Sequence, residues 1–156
     1  MNNTNPVADI TNKPVFKVDN RSFFNTVQGL LALGNKVKFR VLGNSMLPFL
    51  REGDEVLVKG ITERDVKIGN IVLAEWRKSY VLHRIVQHRN GYIWLAGDHN
   101  LVQLERVCQD QLIAVLVAVC RGHQQVPFQS FTYRLGGMLW YFFRPVRRIW
   151  TKIFDR

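Results

Sequence analysis

Gly43-Asn44-Ser45-Met46-Leu47-Pro48-Phe49-Leu50-Arg51-Glu52-Gly53-Asp54 is the stretch on which the reading of this chain turns. It sets a serine just after one β-like run, Val37 to Val41, and closes with a Gly-Asp turn before the next, Val56-Leu57-Val58. Pro48 fixes its own φ, disfavours the helical region for Leu47 and donates no hydrogen bond, while Gly43 allows a backbone angle that other residues avoid. Such a corner presents Ser45 on stiff backbone, with Asn44, Met46 and Pro48 as its frame. Gly, Asn, Ser and Pro also build ordinary turns. A serine hydroxyl is a weak nucleophile without a base in hydrogen-bond reach, so the base must be sought elsewhere in the chain.

Outward from this corner the pattern is β. Val37, Phe39 and Val41 alternate with Lys38 and Arg40; Val56-Leu57-Val58, Ile71 to Ala74, Tyr80 to Val86, Tyr92 to Leu95 and the long run Leu112 to Cys120 follow. Gly53-Asp54, Gly69-Asn70, Asn90-Gly91 and Gly97-Asp98 supply the turns. The expected fold is mostly β, with about six or seven strands by the spacing rule. Ahead of it, Phe23, Phe24, Val27, Leu30 and Leu31 fall at helical spacing, with Asn20 or Ser22 as candidate N-cap and Gly34 as the stop. That predicts an N-terminal amphipathic helix over about Ser22 to Leu33.

A chain of 156 residues, 47% hydrophobic, buries one sizeable core and is not a disordered protein. Three parts are expected: a flexible leader over 1–18, a β domain with its helix over 19–126, and a basic aromatic helical tail over 127–156. The net charge of +10 points to a polyanionic partner, and about half of it lies between Arg134 and Arg156. In the tail, large aromatics alternate with arginines, and Gly136, Gly137 and Pro145 interrupt the run, so a bilayer-spanning helix does not suit it. An interfacial helix pair does: Trp140, Tyr141 and Trp150 at headgroup depth, with Arg144, Arg147, Arg148 and Lys152 on lipid phosphates. A tail packed on the core is the competing arrangement. Nucleic acid is not expected as partner, since no recognition module is found.

Cys108 and Cys120 are too few for a disulfide framework and match no paired metal-ligand spacing, and neither a metal nor a cofactor is implied. The polar N-terminus lacks the basic start and apolar stretch of a secretion signal, and no run of about 18 uncharged apolar residues occurs. The expected location is peripheral, at a membrane, on its cytoplasmic side.

Among the four histidines, only His83 lies within a strongly apolar strand, Tyr80-Val81-Leu82-His83-Arg84-Ile85-Val86. Alternation puts it on one face with Val81 and Ile85. A titratable group on an apolar face is either a hydrogen-bonded structural histidine or a base. His88 and His123 read as loop residues, and His99 is a weaker competitor. An orienting carboxylate would complete the set. Asp98, just beyond the strand ending in Leu95, is one candidate; Glu105 and Asp110 are the others.

In order and spacing, Ser45-Met46-Leu47-Pro48 with Gly53-Asp54, Gly69-Asn70-Ile71-Val72, Val81-Leu82-His83-Arg84-Ile85-Val86 and Leu95-Ala96-Gly97-Asp98-His99-Asn100 resemble the type I signal peptidase superfamily over about residues 37–121. That superfamily also contains self-cleaving SOS and phage repressors. Most bacterial members use a lysine base, whereas the endoplasmic-reticulum and archaeal type carries His-Arg-Ile-Val there, as this chain does; Lys78 lies before the strand and does not take the position. The resemblance implies Ser45 as nucleophile, His83 as general base and Asp98 as the best-supported carboxylate, with Glu105 only near the family's second acidic position. Many members carry a serine two residues before the nucleophile that helps bind the oxyanion. Here Gly43 stands there, leaving the backbone N–H of Ser45, assisted by Asn44.

The implied function is a serine endopeptidase that cleaves an extended peptide, a signal or leader peptide, at the membrane surface. The alternative is a non-catalytic membrane-associated or peptide-binding module that retains the fold. A repressor-like regulator fits less well, because the chain has neither a DNA-binding segment nor an Ala-Gly pair near its N-terminus.

Overall fold

The computed structural model describes residues 7–9, 20–122, 124–128 and 130–154. Among the described residues, nine strands join one curled, mostly antiparallel sheet: β1 (Val7–Asp9), β2 (Lys36–Arg40), β3 (Glu55–Gly60), β4 (Ile71–Trp76), β5 (Ser79–Arg89), β6 (Tyr92–Ala96), β7 (Glu105–Val107), β8 (Leu112–Arg121) and β9 (Gln124–Pro127). The order is β1-β2-β3-β8-β4-β5-β6-β7, with β9 paired to β8. Helix α1 (Asn20–Ala32) precedes β2, while α2 (Phe131–Phe142) and α3 (Arg144–Phe154) follow β9.

The near-continuous apolar runs of β4 and β8 follow from burial on both faces. Ile71, Leu73, Ala114 and Leu116 enter one core with Val27 and Leu31 of α1, and Val37, Phe39, Val56 and Val58 complete it. Val72, Ala74 and Val115 point the other way, into a second core with Ile85, Ile93, Leu95 and Val107. Helix α1 stops where expected: Gly34 takes φ +79°, and the N–H groups of Gly34 and Asn35 close on the carbonyls of Leu31 and Leu30. Phe24 of α1 stacks on Tyr80 of β5 with ring centroids 4.1 Å apart, which ties the helix to the strand that carries His83.

Three strands escape the sequence reading. β7 and β9 are short and polar, and β1 falls in the segment read as a leader, where Val7, Ala8 and Asp9 pair in parallel with Lys36, Val37 and Lys38. Such segments are held by a neighbouring ladder rather than by an alternation of their own. His123 lies outside the described residues. Among the described residues, no helix is long and apolar enough to cross a membrane.

Candidate active site

Ser45 belongs to the connection between β2 and β3. Two backbone bonds pin its base, from Val41 N–H to the Asp54 carbonyl and from Gly53 N–H to that of Val41, each 2.9 Å. Inside the loop, Leu47, Phe49 and Leu50 donate to Asn44 or Met46 carbonyls, and the Leu47–Pro48 peptide is cis. Met46, 2% exposed, and Leu50, fully buried, root the corner in the first core, while Asn44 and Ser45 stay exposed. Gly43 sits at φ +83°, the region where a side chain is strained. Asp54 fastens the far end: it accepts from Arg51 N–H and takes both Nε and Nη2 of Arg121 on β8. Burial alone would raise the Asp54 carboxyl, but the Arg121 guanidinium and the Arg51 N–H outweigh it and hold the group below its usual value.

The Oγ of Ser45 lies 3.0 Å from Nε2 of His83, and Nδ1 of His83 lies 3.0 Å from Oε2 of Glu105. Glu105 is 1% exposed, and its other oxygen accepts from Nε2 of Gln103 at 3.1 Å. A carboxylate only accepts, so Nδ1 of a neutral His83 carries the proton and donates to Glu105. Nε2 is then left with its lone pair facing the Ser45 hydroxyl, which donates to it. This is the orientation a general base needs. Among the described residues, no acceptor takes the backbone N–H of Ser45.

Asp98 makes no hydrogen bond to His83, contrary to the expectation. Its Oδ1 and Oδ2 accept from Nε and Nη2 of Arg84 at 2.8 and 2.7 Å. Sheet register explains the exchange. Ile85 pairs with Leu95 and Leu95 with Glu105, so Glu105 shares a face with His83, two residues before Ile85. Arg84 pairs with Ala96, which sends Asp98, two residues further, to the Arg84 side. The sequence offered Glu105 among three carboxylates, and only the register of β7 on β6 prefers it to Asp98. Burial lifts the Asp98 carboxyl above its usual value in spite of the two hydrogen bonds and the charge of Arg84. Asp110 lies exposed in a 3₁₀ turn over Gln109–Gln111, His88 is exposed on β5, and Lys78 occupies the turn between β4 and β5.

The tail also departs from expectation. It is a helix pair, but Trp140, Arg144 and Arg147 face the β domain rather than a lipid surface. Nε1 of Trp140 donates to the Asp98 carbonyl at 3.0 Å, and both Nη atoms of Arg147 reach the same oxygen at 3.3 Å. Arg144, 8% exposed, donates to the carbonyls of Asn100 and Gln103. The hairpin therefore grips the loop between β6 and β7. These indole and guanidinium donors satisfy carbonyls that the irregular loop cannot pair for itself. Arg148 and Trp150 remain exposed, beside Phe131, Leu135, Leu139, Phe142, Phe143, Val146 and Ile149.

A curled β domain that brings a serine, a histidine and a buried carboxylate into one hydrogen-bonded row has the architecture of the serine-peptidase type. The profile of the Peptidase S24-like family matches residues 13–119, and the chain belongs to that family. The match covers the helix, the serine corner and every strand from β2 to β7. It supports the wider superfamily to which the signal peptidases and self-cleaving repressors belong. A search among curated proteins found no match.

Proposed function

We propose that this protein is a serine endopeptidase of the histidine-base type, which cleaves an extended signal or leader peptide at a membrane surface. The unbroken row from Ser45 Oγ through His83 to Glu105 carries the reading. Ser45 Oγ bonds to the scissile carbonyl carbon as His83 Nε2 takes the hydroxyl proton. His83 then gives that proton to the leaving amine, and the C–N bond breaks to an acyl-enzyme. Water, deprotonated by the same nitrogen, releases the acid and restores Ser45. Glu105 holds the imidazole and stabilises its charged form, and the N–H of Ser45 meets the oxyanion.

The membrane part of the reading rests on the outer face of the hairpin. Phe131 is 72% exposed, Leu135 46%, Leu139 50% and Phe142 68%. They recur at three- and four-residue spacing along α2, an apolar stripe with Arg148 exposed on the following helix. Anionic lipid is the surface that such a stripe and a net charge of +10 suit.

An alkyl fluorophosphonate, which modifies activated serines, tests the chemistry. Labelling is expected at Ser45 in the wild type and to be lost in Ser45→Ala and His83→Ala; labelling unchanged in both variants would sink the proposal. Flotation with vesicles of phosphatidylglycerol and phosphatidylcholine tests the surface. Binding that persists in Leu139→Asp/Phe142→Asp would refute its role.

A further inference from the structure

Between the β6–β7 loop and the α2–α3 hairpin lies an open pocket of about 470 Å³, lined by His99, Leu101, Trp140, Val146, Arg147 and Trp150. We infer that this pocket receives a large apolar side chain of the peptide substrate, an inference that rests on the peptidase reading above.

Its position ties it to the nucleophile. The N–H of His99 donates to the carbonyl of Ser45 itself, at 2.9 Å, so the loop that walls the pocket is fastened to the serine corner. Two residues earlier, Gly97 stands against both Ser45 and His83: a Cβ there would lie 2.7 Å from the Ser45 carbonyl oxygen and 3.2 Å from Nε2 of His83. A peptide held across Ser45 in extended form carries side chains on one side about every 6.5–7 Å, and one of these, a few residues from the scissile bond, is assigned to the pocket.

Its chemistry selects the occupant. Leu101, Trp140, Val146 and Trp150 offer apolar surface, with the polar groups of His99 and Arg147 beside them. Trp140 is held from two directions, by its bond to the Asp98 carbonyl and by the Arg147 guanidinium 4.1 Å from its ring centroid. Trp140 is thus placed by contacts within the protein, so an incoming side chain need not order it. An aliphatic or aromatic side chain gains from burial there, whereas a charged one would give up its hydration. A lipid chain is the less suitable occupant, because the stripe assigned to the membrane, Phe131, Leu135, Leu139 and Phe142, does not line the pocket.

Peptidyl diphenyl phosphonates, which react with activated serines, test this with a series in which alanine at each position is replaced in turn by leucine or phenylalanine. At one position the larger side chain is expected to raise the Ser45 labelling rate about tenfold or more over alanine. That ratio should fall towards one in Val146→Asp and in Trp150→Ala, both at exposed positions whose change does not open the core. It should persist in Val102→Ser, an exposed position in the same loop that does not line the pocket. Ser45-dependent labelling with no apolar preference, or with a preference that both variants retain, would overturn the pocket assignment and leave the peptidase reading standing. Labelling equal in Ser45→Ala would overturn both.

Discussion

The guanidinium of Arg84 occupies the space that a side chain at Gly137 would take: a Cβ added to Gly137 would overlap its Cζ and Nη1. Arg84 is 1% exposed, spends Nε and Nη2 on Asp98 and Nη1 on the Gly69 carbonyl, and lies 5.0 Å from the centroid of Phe49. The residue beside the candidate base is thus sealed by the C-terminal hairpin. The hairpin is therefore a structural part of the site.

Two adjacent glycines of α2 should respond in opposite directions to alanine. At Gly136 the new Cβ would meet only Phe49 Cε1 at 3.9 Å, so Gly136→Ala is expected to stabilise by up to about 1 kcal/mol through helix propensity. Gly137→Ala should destabilise by about 1–3 kcal/mol, because either Arg84 or the helix must move. Urea denaturation measures both. Equal effects at the two positions would mean that the Arg84–Gly137 contact does not hold the hairpin.

The two buried carboxylates should separate chemistry from stability. Glu105→Gln is expected to lower the Ser45 labelling rate by about 10²–10⁴ with little change in melting, since the amide keeps the shape but no longer fixes the imidazole tautomer. Asp98→Asn leaves the Arg84 charge buried without its anion and should cost about 3–5 kcal/mol of stability. If Asp98→Asn were the variant with normal melting and lost labelling, the assignment of Glu105 would be reversed.

Serine, histidine and turn glycine were legible because each carries a local signal: Pro48 and Gly43 at the corner, and His83 in an apolar strand. Which of the three candidate carboxylates partners His83 was not. Glu105 reaches it only through the register of β7 on β6, and a three-residue strand leaves no period to read. The inward turn of Trp140, Arg144 and Arg147 was equally hidden, since aromatic and basic residues suit a lipid surface and unpaired loop carbonyls alike. Composition records the donors but not the acceptors.

Gly97 tests how tightly the nucleophile is held. Gly97→Ala would press a methyl group against the Ser45 carbonyl at 2.7 Å, where backbone rather than a flexible side chain must give way. A displacement on the order of 1 Å at the reacting atoms is expected to slow labelling about 10²-fold. Melting of the purified variant should show a folded protein. Full labelling in a folded variant would mean that the corner tolerates movement that the catalytic reading forbids.

Acid should loosen the serine corner through Asp54. In the folded protein burial works to raise this carboxyl, but the Arg121 and Arg51 interactions prevail, so its pKa falls below the unfolded value of 3.8. A lowered pKa contributes stability that is present above the unfolded value and is lost as pH falls through the folded one. The wild type should therefore exceed Asp54→Asn in urea midpoint by a constant margin from neutrality to about pH 5, and the margin should shrink below about pH 4. Asp65 is also held low. Burial raises it, but bonds from Thr62 and Lys59 outweigh that, so some acid sensitivity should survive in Asp54→Asn. Midpoints measured from pH 7 down to 3 decide the matter: parallel curves for the two proteins would remove Asp54 as the acid-sensitive clasp between the serine corner and β8.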